Sequence, residues 1–162
     1  MVVYWKYKNV FKTMNRKIIG ATPNHYDGID FKSKLERTVY MTLKKNGFSP
    51  EYEKKTFTLM PSFQGESMYY DRFYDKKLKK RVWGFSRYKT QGITYTPDFT
   101  FTYKDRLIVI EAKGYKNDTS PIYMKLFRYY METHTEENIM FFEVYTKKET
   151  IETIKVLNEI IV

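Results

Sequence analysis

Four consecutive aliphatic residues, Leu107-Ile108-Val109-Ile110, lie between Arg106 and the mixed run Glu111-Ala112-Lys113. A strand with one wet face alternates apolar and polar side chains. This one does not, and it suits a central strand buried on both faces. Upstream, Pro97 starts a second strand through Asp98-Phe99-Thr100-Phe101-Thr102, and Tyr103-Lys104-Asp105 turns the chain between the two. The pair reads as a hairpin in the middle of a sheet, closed off by Gly114.

The rest of the chain supplies what would cover such a sheet. Its 162 residues are 42% apolar and 30% charged, enough for one domain with a real core. A helix is expected after Asp30 or Ser33, either of which can cap it. Ser33 stands three residues before Glu36, the capping-box spacing. Leu35, Val39 and Leu43 form its apolar stripe, widened by Tyr40 and Met41, and Asn46-Gly47 stops it. Glu36 falls beside that stripe. Tyr52 to Leu59 reads as a strand. Pro121 opens a helix to about Met131, with Met124, Phe127, Tyr130 and Met131 on its buried side. Ile139 to Tyr145 is a strand. Lys148 to Ile160 is a last helix, with Ile151, Ile154, Leu157 and Ile161 on one side. The order predicts an α/β fold: a mixed central sheet flanked by helices. Residues 1–29 are expected to form a basic N-terminal arm, and 30–162 a single domain with a basic insert at about 61–92.

Composition narrows the chemistry. There is no cysteine, and His25 and His134 are the only histidines. Thiolate and multi-histidine metal sites are excluded, so a metal here would be held by oxygen, which favours Mg2+ or Mn2+. There are 29 Lys and Arg against 19 Asp and Glu, a formal charge of +10. That points to a polyanionic partner. Nucleic acid, ribosome and anionic membrane fit the charge equally well. No stretch approaches the roughly 20 apolar residues of a membrane span. No signal peptide is visible, so a soluble, cytoplasmic protein is expected. Lys6, Lys8, Lys12, Arg16 and Lys17 punctuate the arm without any acidic neighbour. They suit either a phosphate-touching tail or a solvated start of the fold. Lys76-Lys77-Leu78-Lys79-Lys80-Arg81 looks like a hairpin tip, either a solvated turn or a finger along a nucleic-acid backbone. The 16 Tyr and 12 Phe would fill a small core, and a few could stack on bases.

If the two central strands pair antiparallel, Asp98 at the start of one lies beside Glu111 at the end of the other. Glu111 and Lys113 are two apart and share a face. Asp98, Glu111 and the Ala112 carbonyl offer hard oxygen ligands to a divalent ion. Such an ion acidifies bound water and draws charge off a phosphate, and Lys113 could orient or deprotonate the attacking water or neutralise developing charge. An Asp after Pro is also ordinary turn chemistry, and a Glu and Lys two apart are common as solvated neighbours.

Thr96-Pro97-Asp98-Phe99 followed by Ile110-Glu111-Ala112-Lys113-Gly114 resembles the signature of the PD-(D/E)xK nuclease superfamily. Ser33-Lys34-Leu35-Glu36 resembles the helix motif that supplies a third acid in a subset of it. The order from Phe31 through Tyr52-Glu53 to Gly114 is similar to that of phage Holliday-junction resolvases of the endonuclease I type. The resemblance implies a restriction-endonuclease-like fold with catalytic Glu36, Asp98, Glu111 and Lys113. It implies metal ligation by Asp98, Glu111, Ala112 and Glu36 with Mg2+ or Mn2+. It further implies cleavage of branched DNA by a homodimer in DNA recombination, in a host cytoplasm if phage-encoded. Tyr52 to Leu59 is the segment that would be swapped between subunits. Lys34, Arg37, Lys76, Lys77, Lys79, Lys80, Arg81 and Lys116 are the candidate DNA contacts. The stretch between Tyr52 and Thr96 looks longer than the resolvase needs. Three other functions stay open: a restriction-like or TnsA-like cutter of duplex DNA, a non-catalytic nucleic-acid-binding protein of the same fold, and a basic ribosomal or capsid-associated protein.

Overall fold

The computed structural model describes residues 24–86, 89–114 and 120–159. Along the chain run β1 (His25–Tyr26), β2 (Ile29–Asp30), α1 (Lys34–Lys45), β3 (Glu51–Tyr52), β4 (Phe57–Met60) and β5 (Phe63–Gln64). Then come β6 (Tyr69–Asp75), β7 (Lys80–Ser86), β8 (Lys89–Thr90), β9 (Ile93–Tyr95), β10 (Phe99–Tyr103) and β11 (Arg106–Ala112). The chain continues with α2 (Ser120–Thr133), β12 (Ile139–Val144) and α3 (Lys147–Glu159).

The central sheet has the order β12-β11-β10-β3. β10 and β11 are antiparallel, from Phe99 opposite Ile110 to Tyr103 opposite Arg106. Lys104 and Asp105 alone make the turn, at φ 48° and 59°, the left-handed pair a tight hairpin needs. β12 joins β11 in parallel, after α2 has carried the chain across. The sheet is therefore mixed, with three helices against it.

The aliphatic run of β11 is covered on both faces, as its lack of alternation predicts. Ile108 and Ile110 pack with Val39 and Leu43 of α1 and Ile154 and Leu157 of α3. Val109 points the other way, to Met124 and Phe127 of α2 and to Phe57 and Tyr95. Ser33 is the cap of α1: its hydroxyl accepts the Glu36 amide at 3.1 Å. Asp30, the other candidate cap, lies in β2 opposite His25. The β1–β2 hairpin rests on α1, where Tyr40 donates its hydroxyl to Asp27 Oδ2 at 2.8 Å. Burial and that bond push Tyr40 up to about 12. The five basic residues of the expected arm, Lys6 to Lys17, lie outside the described residues.

Two expectations need correction. Tyr52 to Leu59 is not one strand. β3 ends at Tyr52, Glu53 takes a left-handed φ of 48°, and the chain restarts as β4. The halves serve different ladders, β3 on β10 and β4 on β9. In α3, Ile151 is 40% exposed, while Thr150 and Thr153 are buried. Thr150 is tolerated inside because its hydroxyl donates to the Thr146 carbonyl at 3.1 Å. Ile161 lies outside the described residues.

Residues 57–95 form nested ladders: β4 with β9, β5 with β8, β6 with β7. They make one long, interrupted ribbon with the lysine-rich turn at its tip. Its base is core, since Phe57, Leu59 and Tyr95 are buried. At Gly92 the strands approach so closely that a Cβ would meet the Met60 carbonyl oxygen at 2.9 Å. Among the described residues no helix is long and apolar enough to cross a membrane.

A candidate carboxylate–lysine site at the ends of the central strands

The register of β10 on β11 carries Asp98, one residue before β10, to the level of Glu111. Asp98 Oδ2 accepts the backbone N–H of Ala112 at 2.7 Å, and its carbonyl accepts the Glu53 amide at 2.9 Å. Asp98 is thus fixed by backbone groups of both neighbouring segments. Pro97 beside it is fully buried, which anchors the turn.

Glu111 is 5% exposed and lies on the α2 side of the sheet, beyond Val109. Tyr95 donates its hydroxyl to Glu111 Oε2 at 2.7 Å. The Lys113 ammonium stands 2.5 Å from Glu111 Oε1, two residues along the strand. Lys113 is itself held by its amide, which donates to the Val144 carbonyl of β12 at 2.8 Å. Burial, reinforced by the Glu111 charge and its hydrogen bond, drives the Tyr95 phenol well above its ordinary value. Tyr95 is therefore a neutral donor at any working pH.

Glu36, 7% exposed, comes from the first turn of α1. Its Oε2 accepts the Tyr52 hydroxyl at 2.6 Å and the Lys32 amide at 3.0 Å. The second bond reaches back past the Ser33 cap, a variant of the expected capping box. Tyr52 is raised as well, by burial first and then by Glu36.

Asp98 is pushed up to about 7. Burial is the main cause, then the charge of Glu111, with Glu36 adding to it. The Ala112 amide and the Lys113 charge oppose the rise without cancelling it. Lys32 is raised, chiefly by its hydrogen-bonded ion pair with Glu53 and further by Glu36 and Asp98. The cluster sets the four carboxylates of Glu36, Glu53, Asp98 and Glu111 beside the two ammonium groups of Lys32 and Lys113. Among the described residues, no group of three or more Asp, Glu or His side chains is arranged to hold a metal ion by itself.

The structure joins Asp98 to the Ala112 amide by a hydrogen bond and Glu111 to Lys113 by an ion pair, and it sets Glu111, Lys113 and Glu36 within electrostatic reach of Asp98. The candidate DNA contacts lie elsewhere. Lys34 is exposed at the start of α1, and Lys76, Lys77, Lys79, Lys80 and Arg81 are exposed around the ribbon tip. Arg37 lines a separate cavity of about 560 Å3 between α1 and α3, with Lys45 and Lys147. Its buried Nε has no hydrogen-bond partner. Lys116 lies outside the described residues. Sequence reasoning missed Tyr95, Tyr52 and Lys32. The usable signal was that a buried tyrosine must place its hydroxyl on a partner.

No curated protein and no solved structure gives a match to the chain. A family model, described as a protein of unknown function (DUF1064), matches residues 16–146. With most of its length inside that model, the chain belongs to the DUF1064 family.

Proposed function

We propose that this chain is a metal-dependent endodeoxyribonuclease of the PD-(D/E)xK type, hydrolysing phosphodiester bonds in branched DNA. The observation that carries the reading is the excess of carboxylates over ammonium groups where Asp98 and Glu111 meet at the strand ends, with Glu36 alongside; burial first, and then the Glu111 charge, raises Asp98 to about 7. A hard cation would relieve that excess, and the side chains available to hold it present oxygen. Mg2+ or Mn2+ would be held by Asp98, Glu111 and the Ala112 carbonyl, with Glu36 alongside, and when bound would acidify water and draw charge off a phosphate.

The chain's own residues do the rest. Lys113 is the positive charge nearest the carboxylates, with a side chain 21% exposed, so it can meet both water and phosphate. It orients the attacking water and offsets charge as the phosphate becomes more negative. Tyr95 fixes one oxygen of Glu111 and leaves that carboxylate a single orientation. Tyr52 and the Lys32 amide do the same for Glu36. Lys34 and the ribbon lysines offer positive charge to the backbone of the substrate.

One observation favours a second reading. Glu111 already receives Lys113 and Tyr95, so the site is partly self-neutralised. A nucleic-acid-binding protein of the same fold, without turnover, would be built this way. The test is incubation of a four-way junction and a matched linear duplex with Mg2+, Mn2+ or chelator. The nuclease reading expects junction cleavage with either ion and none in chelator. Cleavage unaffected by chelator overturns it. Tight binding without cleavage under every ion supports the second reading.

A further inference from the structure

The outer part of the ribbon has two unlike faces. β6 and β7 set Tyr70 opposite Phe85, Arg72 opposite Trp83 and Tyr74 opposite Arg81. Residues paired across an antiparallel ladder point to the same side. All six are exposed. Tyr70, Trp83 and Phe85 are 63%, 64% and 66% exposed. The other side carries half-buried Phe73 and Val82. Asp75, also on that side, accepts the amides of Lys77 and Leu78 at 2.7 and 2.9 Å and so shapes the tip. The open face therefore combines aromatic rings with two guanidiniums and contains no carboxylate.

The rings are arranged as a surface. Tyr70 stacks on Trp83 with centroids 6.1 Å apart and planes 20° from parallel, and Phe85 meets Tyr70 edge-on at 5.0 Å. Rings this large are ordinarily buried, and a face of them left in water marks an interaction site. The charge decides among occupants. A second copy of this face would oppose Arg72 and Arg81 to the same arginines, on a chain of net charge +10. Unpaired nucleotides offer what the face lacks: flat π surfaces for the rings and phosphates for the arginines and tip lysines. Bases inside a duplex have their faces covered by their neighbours, so the platform selects strands that are open.

We infer that the Tyr70, Arg72, Tyr74, Arg81, Trp83 and Phe85 face of the ribbon is a stacking platform for unpaired nucleotides of a single-stranded or splayed segment. It rests on the nucleic-acid reading above and uses none of the metal chemistry.

The test is binding of the full chain to a labelled oligothymidine strand and to a blunt duplex of equal length, by fluorescence anisotropy in chelator. Trp83→Ala is expected to weaken oligothymidine binding about tenfold, with duplex affinity and salt slope unchanged. Trp83→Phe, which keeps a ring, should retain most of the affinity. Phe85→Ala, on the same face, should repeat the selective loss. Three results overturn the inference: Trp83→Ala binding the strand like wild type, equal losses for strand and duplex, or a lower molecular mass by light scattering in place of lost DNA binding. The last would make the face a contact between copies. The arms separate this inference from the nuclease reading. Intact oligothymidine binding without metal-dependent junction cleavage removes the nuclease alone. Normal cleavage with Trp83→Ala binding like wild type removes the platform alone.

Discussion

Asp98 and Glu111 are neighbouring carboxylates with different company. Glu111 has a phenol and an ammonium; Asp98 has a backbone amide, and burial first and then the charges of Glu111 and Glu36 outweigh that amide and Lys113. Asp98 is therefore the group whose ionisation opposes folding. Its folded value of about 7 lies above the ordinary 3.8, so between those values the folded chain binds the extra proton. Stability without divalent ions should fall as pH rises through that window and level off above it, by up to about 4 kcal/mol. Asp98→Asn keeps an acceptor for the Ala112 amide and has no charge to bury. Its melting temperature relative to wild type, measured in chelator, should climb from pH 4 to pH 7. A difference that stays constant across that range would contradict this reading of Asp98. Millimolar Mg2+ at pH 8 should raise the wild-type melting temperature and do little for Asp98→Asn.

The elements divide by how local their causes are. The β10–β11 hairpin was legible because the aliphatic run, the turn residues and the two-residue spacing all lie within one short stretch. The first helix was legible from Ser33 and Glu36, and of the two caps the sequence offered, Asp30 and Ser33, the second is the one used. The hairpin tip was visible as the charge run Lys76–Arg81, but the strands reach further than read, since β6 runs to Asp75 and Lys80 and Arg81 already lie in β7. The break after Tyr52 was not legible, because periodicity cannot show that Glu53 turns left-handed or that β3 and β4 pair with different partners. Thr150 and Thr153 were missed inside α3 because a threonine enters a core only when its hydroxyl finds a carbonyl. Asp98 opposite Glu111 followed from spacing. The Tyr95 and Tyr52 bonds did not, since each joins elements distant in sequence. The ribbon tip makes its own prediction. Replacing Lys76, Lys77, Lys79 and Lys80 with Gln should weaken DNA binding and lower the salt slope by as much as about one per lost phosphate contact. All four side chains are exposed, so circular dichroism and melting temperature should hardly move. An unchanged slope would make the tip a solvated turn.

At the scale of the molecule, a mixed sheet between helices presents a small charged cluster at its strand ends, and a long basic ribbon departs from the same region of the chain. Phe57 and Leu59 of β4 are buried against the chain's own α2 and β9, so burial alone gives no cause for a strand swap. Two-fold pairing rests instead on the symmetry of the proposed substrate, since a junction cut on two strands calls for two sites related by that symmetry. Light scattering should give about twice the 19.7 kDa of one chain. A monomer that cuts both strands in one binding event would rule out pairing. Hydrolysis by the strand-end carboxylates is what the whole functional reading depends on, and Glu111→Gln probes it while keeping the side chain's shape, at the loss of the Lys113 ion pair. Gln still accepts the Tyr95 hydroxyl, so the fold and junction binding should persist while the charge is gone. Single-turnover cleavage of a four-way junction in Mg2+ should fall at least about a hundredfold, or roughly 2.7 kcal/mol. Cleavage by Glu111→Gln at the wild-type rate, with binding equal in both, would contradict a hydrolytic role for these carboxylates.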